Sequence, residues 1–258
     1  MHYLCLFLFL FPCLLFAQED VLQDDVLYYN KGVKAHNEGD YISAIKCYEK
    51  CLVSNPEHAQ AKKNMSVVYY NQSLAAFNQK DYDNTIKNSY EALRYAPQNP
   101  EVYAMLGNAH IRQKQYKQAV IDFTKAIEIS SEPAAYYASR SWVYNDLLDN
   151  VNRLADMERA AELEPNNPKY QFLAGKYKQS IDQEHFKTAL GNYDKAIELK
   201  PDYLEAYTER ATYYMTFGEF TKALRDLKKA ERLGGDVKHL IQAAEFEQEM
   251  QKEEQKQD

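Results

Sequence analysis

The sequence predicts an all-α fold in which helix-turn-helix units stack on one another, and three observations lead there. Amphipathic helical periodicity, with apolar residues at i, i+3, i+4 and i+7, runs through most of the chain. The pattern restarts at residues 25, 66, 100, 134, 167 and 204, a period of about 34 residues. Glycine and proline are scarce, eight of each in 258 residues, which leaves room for long helices.

The clearest unit runs from Pro100 to Ser131. Its first half places Tyr103, Leu106, Gly107 and His110 on one helical face, and its second half does the same with Tyr116, Ala119, Phe123 and Ala126. Neither helix can bury such a face alone. Small residues at Gly107, Ala119 and Ala126 alternate with rings at Tyr103 and Phe123, as closely crossing antiparallel helices require. The unit resembles a tetratricopeptide repeat, whose pattern carries small residues and rings at these offsets. The resemblance covers nearly the whole chain and implies a right-handed α-solenoid of six repeats with a C-terminal capping helix.

Taken in order, the units span 25–58, 66–99, 100–133, 134–166, 167–203 and 204–235. Unit one carries Tyr28, Gly32, Ala35, Ala44, Tyr48, Cys51 and Pro56. Before unit two lie seven extra residues around EHAQAKKNM; two added turns rotate a helix face by only about 20°, so they lengthen the first helix without moving Tyr69 off the core. Asn55 is then expected as its cap and Pro56 as its first helical residue. Unit four has Ser141 and Arg153 where small residues are usual. Unit five has a turn enlarged around Ser180 to His185, expected as a loop. Unit six ends at Gly234-Gly235, suited to a helix C-cap. Asp236 is expected to cap a helix over 236–251 that covers the last repeat, and 252–258 lacks apolar periodicity and is expected to be disordered.

Ahead of the repeats, residues 1–17 are an apolar leader followed at once by Gln18, Glu19 and Asp20. The apolar run is short for a membrane span, so it is expected to be a signal peptide ending at Ala17. Export to a periplasm, cell envelope or the exterior follows as the expected location. Cys13 fits a lipid-attachment signal only through Leu10.

Composition limits the partners. With 31 basic residues against 38 acidic ones, interspersed, and a net charge of -7, nucleic-acid binding is disfavoured. No phosphate loop, zinc-protease or serine-hydrolase motif is present, so no enzyme, cofactor or metal is expected. His110 reads as a core histidine and the Asp182-Glu184-His185 cluster as a loop feature. Cys47 and Cys51, one helical turn apart, lack a second ligand pair and read as packing residues. The Asn64-Met65-Ser66 and Asn71-Gln72-Ser73 sequons both fall on an expected helix.

The resemblance implies that first helices line a concave groove for a peptide or partner protein. Projected onto this chain, the groove holds Tyr29, Asn30, His36, Asn37, Tyr70, Asn71, Phe77, Asn78, Met105, Asn108, Arg112, Trp142, Asn145 and Phe172. Asparagine recurs there, and an amide both donates to and accepts from an extended backbone. Tyr70, Phe77 and Trp142 would supply apolar anchors. The paired-cation clamp that some co-chaperone repeats use for acidic C-termini is not reproduced: its places hold Tyr29, Val33, Asn71, Glu101 and Met105, and only Asn71 fits. A non-catalytic interaction scaffold is therefore expected, with an accessory role in envelope or outer-membrane assembly as the narrower alternative.

Overall fold

The computed structural model describes the backbone of residues 10–255 and the side chains of residues 24–255. Among the described residues every regular element is a helix. The chain forms two compact bodies, one ending at Ser130 and the other beginning at Ser131. In the first, α1 (Leu10–Asn37) pairs with α2 (Tyr41–Ser54), α3 (Ala59–Asn78) with α4 (Tyr82–Tyr95), and α5 (Pro100–Arg112) with α6 (Tyr116–Ile129). In the second, α7 (Ala134–Asp146) pairs with α8 (Asn150–Leu163), α9 (Pro168–Gln179) with α11 (Ala189–Leu199), and α12 (Leu204–Thr216) with α13 (Phe220–Arg232). The short α10 (Gln183–Lys187) lies within the fifth unit, and α14 (Lys238–Glu254) packs on α13.

Five of these pairs turn in the same way. The second residue past the first helix takes a left-handed conformation: Gly39, Lys80, Lys114, Leu148 and Gly218, with φ between 58° and 78°. The next N–H then reaches back to close the helix, as from Asp40 to the Ala35 carbonyl (2.9 Å) and from Asp81 to that of Ala76 (2.9 Å). This is the closing bond of a Schellman turn. In three units the same residue starts the second helix: Asp40, Asp81 and Asp149 each accept from an N–H three residues on, at 3.0 to 3.1 Å. One aspartate thus ends one helix with its backbone and caps the next with its side chain.

Within the pairs, a small residue on the first helix faces a large one on the second. A Cβ at Gly32 would lie 2.6 Å from the Tyr48 ring, one at Gly107 2.8 Å from Phe123, and one at Gly175 2.9 Å from Tyr193. The glycines therefore set how closely the helices approach. Unit two solves the problem with polar atoms: Ser73 Oγ donates to the Thr85 carbonyl (3.0 Å) and shares a 2.7 Å hydrogen bond with Ser89, all fully buried. In unit four Ser141 Oγ donates to the Arg153 carbonyl (2.9 Å).

Several expectations need correction. Helix α3 begins at Ala59 with His58 as its cap, its Nδ1 accepting from the Ala61 N–H (3.2 Å). Asn55 ends α2 instead, and its amide donates to buried Asp25 at 2.7 Å; that tie holds Asn55 and leaves Pro56 in the turn. The enlarged turn of unit five is not a plain loop, since α10 drives Phe186 into the core, where its ring meets Tyr213 edge-on at 5.2 Å. Val237, rather than Asp236, occupies the cap position of α14; its apolar side chain has no acceptor to cap with and is buried instead. Residues 252–254, expected to be disordered, continue that helix, and 256–258 lie outside the described residues. Of the leader, 1–9 also lie outside them, while α1 runs unbroken from Leu10 across the Ala17–Gln18 position. No helix among the described residues is long and apolar enough to cross a membrane.

Candidate interaction surface

First helices of the repeats supply the candidate surface, because their second helices complete the hairpin cores. In the first body Asn30, Asn37, Asn78, Asn108 and Arg112 are exposed, and Tyr29, His36, Tyr70, Asn71 and Phe77 are half-buried. Tyr29 stacks on His58 with ring centroids 4.8 Å apart, and Asn64 reaches the hydroxyls of both Tyr29 and Tyr48 at 3.4 and 3.3 Å. Burial pushes the Tyr70 hydroxyl pKa up. Arg112 of α5 lies over the Phe77 ring of α3 at 5.9 Å, so these two members of the expected groove meet.

Two members do not offer a surface. Met105 is 8% exposed and Phe172 only 6%. Helix α5 packs against α3, α4 and α6, which encloses the position next to its hairpin face; Phe172 is covered by Tyr203 at 5.0 Å and Tyr193 at 6.3 Å. Both are core residues, and their placement in the groove is corrected accordingly. In the second body Trp142 remains 48% exposed and meets the Tyr177 ring at 90° and 6.5 Å. Asn145, also exposed, accepts from Arg153 Nη1 at 2.7 Å.

Ionisable groups also lie between paired helices, among them His110, which the sequence reads as a core histidine. His110 Nδ1 sits 2.6 Å from Asp122 Oδ2, both buried, and burial raises the Asp122 pKa against the opposing pull of His110. In units four and six the matching aspartate instead takes an arginine that sits one helical turn earlier on the first helix than His110 does. Arg140 forks onto Asp156 with two 2.8 Å bonds, and Arg210 onto Asp226 with bonds of 2.7 and 2.9 Å. Burial works against the Arg210 charge, but Asp226 and Asp194 outweigh it and hold the pKa above its ordinary value. The aspartate that recurs directly before the fully buried Phe123, Met157 and Leu227 is visible in the sequence, but its cation arrives from the other helix.

The Asp182–His185 pair is a helix cap: Asp182 Oδ1 accepts from the His185 N–H at 2.8 Å and lies 2.9 Å from its Nδ1, with both side chains about half exposed. No group of three or more possible metal ligands occurs among the described residues. Cys51 is buried and Cys47 half-buried. Ser66 and Ser73, the sequon hydroxyls, are 2% and 0% exposed.

Paired antiparallel helices with a shared closing turn, and with first-helix side chains left over from packing, define a helical-hairpin repeat protein. More particularly, the hairpins match the tetratricopeptide repeat: tetratricopeptide-repeat models match residues 26–58 and 76–121. The crystal structure of YrrB, described as a TPR protein with an unusual peptide-binding site, superposes with a TM-score of 0.58 at 21% identity, covering 78% of this chain and 97% of YrrB. That of MamA also gives 0.58, at 20% identity over 66% of this chain and 91% of MamA. Human serine/threonine-protein phosphatase 5 is 27% identical over 119 residues, 46% of this chain but 17% of the phosphatase. Hsp70-Hsp90 organizing protein 1 of Glycine max is 34% identical over 56 residues, 22% of this chain and 10% of that protein. The chain thus spans under a fifth of the length of these curated relatives.

Proposed function

We propose that the protein is a non-catalytic interaction scaffold that holds an extended peptide or partner segment on the first helices of its repeats. The observation that carries this reading is the set of polar and aromatic side chains that packing does not use: Asn30, Asn78 and Asn108 are exposed on α1, α3 and α5 of the first body and, separately, Trp142 on α7 of the second. Exposed amides grip a backbone without reading its side chains. The similarity to YrrB, with its peptide-binding site, and to an Hsp70-Hsp90 organizing protein supports the same reading. The phosphatase similarity covers 119 residues and brings no catalytic motif into this chain.

A bead-bound library of random decapeptides, screened with the full chain, tests it. Peptides should be enriched, and Asn30→Ala, Asn71→Ala and Asn108→Ala should weaken them while shifting stability by no more than about 0.5 kcal/mol. Enrichment that survives these changes but disappears on substitution of exposed second-helix residues such as Ile121 would place the partner elsewhere. No enrichment at all would refute the reading. For location, we propose export through the 1–17 leader, supported by its apolar run and the acidic residues after it; a mature N-terminus at Gln18, read by mass spectrometry from the native host, is the expected result.

A further inference from the structure

We propose that the end of the fourth hairpin, around Arg153 and Trp142, is an anchor for a partner segment carrying a carboxylate beside a large apolar side chain. The inference rests on the peptide-binding reading and names the chemistry of one subsite within it.

Tyr177 organises the place. Its face carries the Arg153 guanidinium at 4.3 Å and its side meets Trp142 perpendicularly. Tyr177 itself is 6% exposed, so it is a fixed plate on which the cation and the indole are both mounted. Arg153 Nη1 donates to Asn145 Oδ1 (2.7 Å) and Nη2 to Ser180 Oγ (2.5 Å), both neutral oxygens. Its Nε is buried without a hydrogen-bond partner. The other large cations between helices of this body are neutralised, Arg140 by Asp156 and Arg210 by Asp194 and Asp226. Arg153 is held in place, and it forms no ion pair with a carboxylate among the described residues. Of the five guanidinium N–H donors, one on each Nη remains after the internal bonds, and that outer edge matches the two oxygens of a carboxylate end-on.

Apolar side chains are exposed on the same hairpin: Trp142 is 48% exposed on α7, Leu148 87% in the α7–α8 turn and Val151 69% in the first turn of α8. Leu148 occupies the left-handed turn position that Gly39, Lys80, Lys114 and Gly218 fill in other hairpins. A leucine there is strained and fully wetted, a combination that packing within the hairpin does not explain. A partner with an acidic residue next to an aromatic or long aliphatic one satisfies the charge on Arg153 and covers the indole, both mounted on Tyr177. Stacking on Tyr177 also fixes the guanidinium before binding, which reduces the ordering cost.

The same decapeptide library decides it, read for sequence rather than for binding alone. Enriched peptides should carry Asp or Glu adjacent to Phe, Trp, Leu or Met. Resynthesised with Asn or Gln in place of the acid, they should bind roughly tenfold more weakly or worse, and their affinity should fall with added salt. Arg153→Gln should abolish the acidic preference, Arg153→Lys should restore part of it through charge without the planar fork, and Trp142→Ala should remove the preference for the apolar neighbour. Circular dichroism melts check that each variant is folded. Enriched peptides with no acidic bias, or an unchanged bias in Arg153→Gln, would overturn this assignment while leaving the peptide-binding reading intact; an empty screen would overturn both.

Discussion

Gly107 and Phe123 are fitted to each other: the ring lies where a methyl group on residue 107 would have to go, 2.8 Å from an added Cβ. The buried ring is 0% exposed and cannot swing out to solvent without opening α5 from α6. Unit six has Ala211 and Leu227 at the same offsets, both fully buried in one core cluster. Gly107→Ala should therefore destabilise by about 1–2 kcal/mol, overpacking outweighing the helix-propensity gain of about 1. Phe123→Leu alone should cost a similar amount by leaving space. The double variant should recover at least about 1 kcal/mol of the summed loss, measured as a coupling energy from urea unfolding.

Arg210 and Asp226 give the second prediction. Asp226 is 2% exposed and receives two hydrogen bonds from the guanidinium. Arg210→Met strands a buried carboxylate and should cost about 3–5 kcal/mol, whereas Arg210→Met combined with Asp226→Leu should return most of that loss. Thermal melts of the three proteins separate the outcomes; a double variant as unstable as the single one would show that the pair stabilises beyond charge compensation.

Helix caps set the acid limb of stability. The Asp40 pKa is held below 3.8 by side-chain and backbone donors of Ser43, that of Asp81 by those of Asn84, and that of Asp149 by those of Asn152. A folded-state pKa below the unfolded one means that the contribution is complete above pH 3.8 and is lost as pH falls through the lowered values. Asn accepts the same cap bond without titrating. The triple variant Asp40→Asn, Asp81→Asn, Asp149→Asn should accordingly lose less stability than the parent between pH 4 and pH 2.5, as circular dichroism melts would record.

Removal of residues 236–258 tests the role of α14. Its Val237 and Ala244 are buried with Ala223, Leu224 and Leu227 in one core cluster, and Leu240 and Ile241 pack against it. Gln248 and Gln251 tie it to Thr221 and to the Gly218 carbonyl. The truncated chain should bind an apolar-surface dye and lose amide protection first in α12 and α13, with the body ending at Ser130 keeping its own. Uniform loss in both bodies would contradict nearest-neighbour stacking.

Much of this fold was written in the sequence, because helix pairing is local. Periodicity located the helices, and the small-against-large pattern of Gly107 and Phe123 identified which faces meet. The ends were harder. Asn55-Pro56 carries a good helix-start signal, yet Asp25, thirty residues away, holds the Asn55 amide and leaves capping to His58. The turn of unit five reads as a loop because five residues of α10 are too few to show a period.

For the candidate surface, sequence offsets placed residues on a helix face but could not say how far a neighbour would reach over them. Asn30 and Asn108 stay exposed, while Met105 and Phe172 at comparable offsets are enclosed. The sequence alone determined the repeat, its period and the hairpin cores, since those depend on side chains within about one unit of each other. Only the tertiary structure decided which charges are matched: Arg140 and Arg210 find aspartates sixteen residues away, whereas Arg153 finds Tyr177, Asn145 and Ser180. Charge compensation depends on distances of a few ångströms across separate helices, and no pattern along one helix encodes them.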